Sequence, residues 1–97
     1  HILDADRHVI VSSGHEWMTR VTGVGCSLGA LTAAFAGIQN DHLIAAVSAT
    51  AMLCVAAERA AERSAGPGAF AQALVDELFL VSPDEVGERG GLRDVTA

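Results

Sequence analysis

The chain has 97 residues, room for one domain at most, and its six Arg, no Lys and twelve acidic residues give a formal charge of −6. That balance lacks the basic footprint of a nucleic-acid binder and the polybasic stretch that holds a protein to an anionic membrane. A hydrophobic share of 51% excludes a disordered tail, and two cysteines exclude a disulfide scaffold or a thiolate metal cluster.

Aromatic residues make up only 4% and Tyr is absent, so the core must be built from Ala, Val, Leu and Ile. The first residues, His1 to Asp6, read as the interior of a longer chain, with no charged leader followed by an apolar stretch. The β-branched sites at Ile2 and Val9–Val11 flank polar Asp4–Arg7 and predict a β-hairpin, His1–Leu3 with His8–Ser12. Ser12 to Glu16 follows as a loop, and Trp17 to Val21 reads as a short extended segment.

Next, Gly23, Gly25 and Gly29 introduce an Ala-rich apolar helix that starts near Cys26 or Ser27 and runs to about Ile38. Asp41, or Asn40, is suited to cap a second helix reaching about Ser64. Residues 42–57 of that helix carry no formal charge and predict burial on most sides. Glu58, Arg59, Glu62 and Arg63 then predict a solvated end, with Arg59 and Glu62 as the one opposite-charge pair at helical spacing. Gly66 fits the position just past a helix end and Pro67 blocks continuation. From Ala69 to Leu80, the residues Phe70, Ala73, Leu74, Glu77, Leu78 and Val81 mark a third helix face. Ser82–Glu85 opens a short helical turn, Gly87, Gly90 and Gly91 predict a frayed end, and Leu92–Ala97 is a last strand or a loose tail.

Two uncharged runs, 21–38 and 43–57, raise the question of a membrane hairpin. The first holds four glycines and the second is short of the ~20 residues a spanning helix needs, so a buried helix pair is the better reading.

The segment best suited to chemistry is Thr22-Gly23-Val24-Gly25-Cys26. A glycine-rich turn that feeds a helix N-terminus presents unpaired N–H groups and the positive end of the helix dipole, which together receive a phosphate or a developing anion. A helix N-terminus also favours the anionic form of a thiol, which makes Cys26 a candidate base or nucleophile. The competing reading has the glycines serving close helix packing and Cys26 as a small hydrophobe. Neither the phosphate-binding Gly-Lys-Ser/Thr loop nor the dinucleotide GxGxxG spacing is met. Cys54, mid-helix, reads as core filling; a Cys26–Cys54 disulfide is disfavoured. His15 and His42 read as loop or cap residues, His1 and His8 belong to the predicted hairpin, and none of the four has metal-ligand spacing. Trp17 and Met18 read as packing against the helices, and Phe70 as the anchor of the third helix.

Residues His15 through Phe35, with the form HxxMTxVTGxGCxLxALxAAF, resemble the C-terminal signature of the hydroxyethylthiazole kinases. Downstream, Ala57-Glu58-Arg59-Ala60, Arg63-Ser64 and Gly66-Pro67-Gly68-Ala69-Phe70 are similar to that family's helix and its GPGSF-type turn, with Ala69 in place of the usual Ser. Asp6-Arg7-His8-Val9 leading to Gly14-His15 is similar to its hairpin.

The resemblance implies an α/β, ribokinase-like fold with a mainly parallel central sheet. Residues 1–97 would be the C-terminal portion of one kinase domain: a β-hairpin followed by a bundle of mostly Ala-rich helices. It implies transfer of a phosphoryl group from ATP, with Mg²⁺, to the alcohol of 4-methyl-5-(2-hydroxyethyl)thiazole in thiamine salvage, by a cytoplasmic homotrimer. Gly23 would lie against the thiazole. The N–H groups of Val24, Gly25 and Cys26 would form the anion hole, and Cys26 would receive or orient the hydroxyl proton. The family's N-terminal substrate pocket, its nucleotide-contacting Arg and Thr and its Mg²⁺-binding acidic residues have no counterpart in these 97 residues. The missing N-terminal part is therefore an implied partner. The alternative is a non-catalytic helical module for oligomerisation or partner binding.

Overall fold

Asp4 closes the N-terminal hairpin. Its Oδ1 accepts from the N–H groups of Asp6 and Arg7 at 2.9 and 2.7 Å, which folds residues 4–7 into a turn between β1 (Ile2–Leu3) and β2 (His8–Val11). The computed structural model describes residues 1–96. After β2 come a short 3₁₀ turn (Glu16–Thr19), α1 (Val24–Ile38), α2 (His42–Glu62), α3 (Pro67–Leu80), α4 (Pro83–Arg89) and β3 (Leu92–Asp94). The three strands form one antiparallel sheet in the order β1-β2-β3. Ile2 pairs with Val9, and Ile10 pairs with Arg93.

The last segment is thus a strand up to Asp94, and Ala97 lies outside the described residues. Gly90 and Gly91 do not fray the chain. Gly91 adopts φ +63° and directs it back to β2, where the Ser12 N–H donates to the Gly91 carbonyl at 3.0 Å. The mainly parallel sheet implied for the whole kinase fold is not part of this piece, whose strands are all antiparallel.

The Asp41 cap holds as read from the sequence. Its Oδ1 accepts from the N–H groups of Leu43 and Ile44. The same carboxylate receives both terminal nitrogens of Arg7, at 2.6 and 2.8 Å, so one side chain starts α2 and ties it to the hairpin. α2 is the central helix, packed against α1 on one side and α3 on another. Its buried residues are Leu43, Leu53, Val55 and six alanines, and small side chains on several faces let two helices approach it. Phe70 of α3, fully buried, fills the space this leaves. Helix α2 is long and apolar enough to cross a membrane by composition, but half of that apolar stretch is buried within this fold.

Three expectations change. Trp17 is not in an extended segment: residues 16–19 form a 3₁₀ turn, because the His15 imidazole caps it. Gly66 does not end α2, whose last helical residue is Glu62; it is the extended residue before α3, with Pro67 in the first helical turn where its missing N–H costs nothing. The charged end of α2 is not a free solvated face. Arg59 Nε lies 2.6 Å from Glu77 Oε2 and its Nη1 reaches Glu85, while Arg63 Nε lies 3.1 Å from Glu77 Oε1. Glu62 pairs with Arg89 at 2.6 Å rather than with Arg59. These ion pairs fasten α3 and α4 to α2.

Candidate anion-binding turn

The approach to α1 is fixed by apolar contacts. Trp17, Met18 and Val21 pack on the cluster formed by Leu53, Ala56, Ala57, Phe70 and Leu74, and so do Val24, Leu28 and Leu31 of α1. Trp17 meets Phe70 edge-on with ring centroids 5.9 Å apart. The chain therefore arrives at Gly23 from a packed segment rather than a loose loop.

Gly23 adopts φ +95°, a conformation that L side chains rarely take, and caps α1 through its backbone alone. Its carbonyl accepts the first helical bond, from the Ser27 N–H at 2.9 Å. The N–H groups of Val24, Gly25 and Cys26 precede that bond and have no acceptor within the helix. No side chain caps them, and no acidic residue lies in the first turn to repel an anion. A Cβ built on Gly23 or Gly25 would meet nothing within 4 Å, so the surface over the turn is open. The Cys26 side chain is exposed on that surface.

The structure places Gly23 at the N-cap of α1 and Val24, Gly25 and Cys26 in its first turn, so the helix opens slightly earlier than the Cys26 or Ser27 start expected from the sequence. The donor set suits phosphoryl oxygens. It does not suit Mg²⁺: among the described residues no three His, Cys, Asp or Glu side chains converge on a possible metal site.

The remaining candidates fall elsewhere. Cys54 is half-buried against Gly14, burial pushes its thiol up, and both cysteines are free. His1 and His8 touch each other across the hairpin at 2.8 Å. An apolar groove of about 420 Å³ lies between α1, α2 and α4, lined by Phe35, Val47, Met52, Val81, Val86 and Leu92. A polar cleft of about 310 Å³ is lined by Gly14, His15, Glu58, Ala61, Glu62 and Arg89. Neither includes a residue of the Gly23–Cys26 turn. Sequence reading placed Glu77 on the third helix face but missed its pairing: it is 4% exposed and held by two arginines. The available signal was a carboxylate at an apolar-face position of α3.

Comparison with known proteins gives the family. The profile of the hydroxyethylthiazole kinase family matches residues 1–84. The chain is 98% identical over its full 97 residues to a hydroxyethylthiazole kinase of Cutibacterium acnes, covering 35% of that protein. It is 54% identical over 80 residues, 82% of its length, to one from Kineococcus radiotolerans, covering 29% of it. Its fold matches the structure of a hydroxyethylthiazole kinase from Pyrococcus horikoshii OT3 with a TM-score of 0.89 and 37% identity, over 95% of this chain and 36% of that one. The chain therefore spans about a third of the length of the relatives it matches. By its sequence and its fold, the chain belongs to the hydroxyethylthiazole kinase family.

Proposed function

We propose that this chain is the C-terminal portion of a single ribokinase-like kinase domain, and that it supplies the phosphate-receiving turn for phosphorylation of 4-methyl-5-(2-hydroxyethyl)thiazole. The observation that carries the reading is the opening of α1. Left-handed Gly23 exposes three unsatisfied N–H groups beside an exposed Cys26, in a helix turn free of carboxylates. Donors held in advance where charge develops favour phosphoryl transfer, because they need no reorganisation at the moment of reaction.

In this reading Gly23 lies against the thiazole, and the N–H groups of Val24, Gly25 and Cys26 hold the transferred phosphoryl oxygens. Cys26 takes or orients the hydroxyl proton. ATP, when bound, supplies the phosphoryl group. The residues that hold Mg²⁺ and the nucleotide belong to the rest of the domain, as does most of the substrate pocket. A cytoplasmic homotrimer completes the proposal, which the family membership supports. The test is a coupled kinase assay on the full-length protein with the thiazole alcohol and ATP. Phosphate ester formed by the wild type and lost on Gly25→Leu supports the reading. Undiminished transfer in that variant overturns it.

A further inference from the structure

We propose that His15 is a positioning residue for the phosphate-receiving turn, acting through the 3₁₀ turn at Glu16–Thr19; the inference rests on the reading of Gly23–Cys26 given above. The Trp17 N–H donates to His15 Nδ1 at 3.1 Å. That bond exists only while Nδ1 carries no proton, so it selects one neutral tautomer of the ring. The imidazole is further held edge-on to Trp17, with centroids 4.9 Å apart, and lies 6.2 Å from Phe70. The Met18 N–H donates to the His15 carbonyl at 3.1 Å, and the Arg20 N–H to that of Trp17 at 2.9 Å. His15 thereby starts the turn whose Trp17 and Met18, with Val21 after it, pack on the core, and Gly23 opens α1 two residues beyond Val21.

The groups facing the ring point the same way. The cleft beside His15 presents Glu58 and Glu62 from α2 and Arg89 from α4. Glu58 also lies 3.4 Å from the Gly14 N–H, and Arg89 lies 3.5 Å from Glu58 and 2.6 Å from Glu62. A ring that carries a proton on Nδ1 has no acceptor left for the Trp17 N–H, so the cap exists only with that nitrogen bare.

The test is turnover by the full-length kinase between about pH 8 and 5, the range in which imidazoles commonly titrate, for the wild type, His15→Asn and His15→Ala. Asn keeps an oxygen acceptor for the Trp17 N–H but cannot take up the proton. His15→Asn should retain most of kcat at pH 8 and lose the acid fall attributable to the ring. His15→Ala should lose up to roughly 10²-fold in kcat across the range, the scale of a misplacement of about 1 Å at a reacting centre. In parallel, ¹⁵N NMR reads the protonation of His15 Nδ1 and the Gly25 amide resonance in the same protein. An Nδ1 without a proton at pH 8, and a Gly25 amide that follows the His15 titration, support the proposal. An unchanged acid limb in His15→Asn, wild-type turnover in His15→Ala, or a Gly25 amide indifferent to His15 overturns it. If the wild type phosphorylates nothing, the kinase reading fails, and the NMR result still decides whether His15 governs the turn.

Discussion

Glu77, buried on α3, faces Arg59 of α2 with its Oε2 2.6 Å from the guanidinium Nε. The approach is ionic: Oε2 lies off the N–H direction and makes no hydrogen bond. Arg63 takes the other oxygen at 3.1 Å, so a single carboxylate joins two turns of α2 to α3. Glu77→Gln keeps the shape and removes the charge, leaving two guanidinium groups without their shared partner. We expect a loss of about 2–3 kcal/mol, below the usual cost of an orphaned buried charge because both arginines reach solvent. Chemical denaturation of the full-length protein measures it, and an unchanged midpoint would sink the idea.

Cys26 is exposed beside the open N–H groups of α1. Cys26→Ala should lower kcat about 10²–10⁴-fold, the range for a positioned acid–base group, with a far smaller effect on thiazole affinity. Cys26→Asp should retain much of the activity, because a carboxylate there can accept the same proton. Steady-state kinetics, with circular dichroism to confirm folding, decides. Full activity in Cys26→Ala leaves only the anion hole in the mechanism.

A Cβ on Gly25 meets nothing within 4 Å among the described residues, so the helix itself does not exclude a side chain there. Gly25→Leu should therefore fold and lose turnover if the phosphoryl oxygens sit over this turn as proposed, since the new side chain would take their place. Retained thermal stability with abolished activity is the expected pair of results.

The Arg7 guanidinium, followed by the N–H groups of Ile44 and Leu43, holds the Asp41 carboxyl at about 2, below its ordinary 3.8. A carboxyl depressed on folding stabilises the protein above its unfolded value, and this contribution is lost as pH falls through the folded one. Stability from Asp41 should thus be complete above about pH 5 and disappear between about pH 4 and 2. Asp41→Asn should be less stable than the wild type at pH 6, and the two should converge near pH 2. Denaturant midpoints across that range check the sign.

The 97-residue chain on its own leaves Ile38 85% exposed, Phe79 88% exposed and Val75 69% exposed. No residue of α1 is buried, although the helix carries no charge. Such surfaces drive association. The isolated chain should elute above its monomer mass, and a cooperative melt of a dilute monomer would contradict this.

Local chemistry in the sequence was enough to find the hairpin, the Asp41 cap, the long apolar α2 and the glycine-led opening of α1, the last to within three residues. Each depends on neighbours a few residues apart. What stayed open or escaped depends mostly on distant partners. Leu92–Ala97 read as either a strand or a tail, because the β2 edge that pairs Leu92–Asp94 lies more than 80 residues earlier. The charges at Arg59 and Arg63 looked solvated because Glu77 and Glu85 are on other helices. Trp17 is the exception: its backbone is set by a single imidazole acceptor only two residues away, at His15, which leaves no periodic mark.

The pairing of β2 with β3 also has a temporal meaning. Val9 cannot meet Asp94 until the whole helical block between them has left the ribosome. During synthesis the outer edge of β2 stays open while four helices emerge, and it closes last. Contacts of such long sequence separation form slowly, because the intervening loop must be ordered first. The helices thus have time to collapse around Phe70 before the sheet is sealed, and until then the open strand edge is exposed to mispairing.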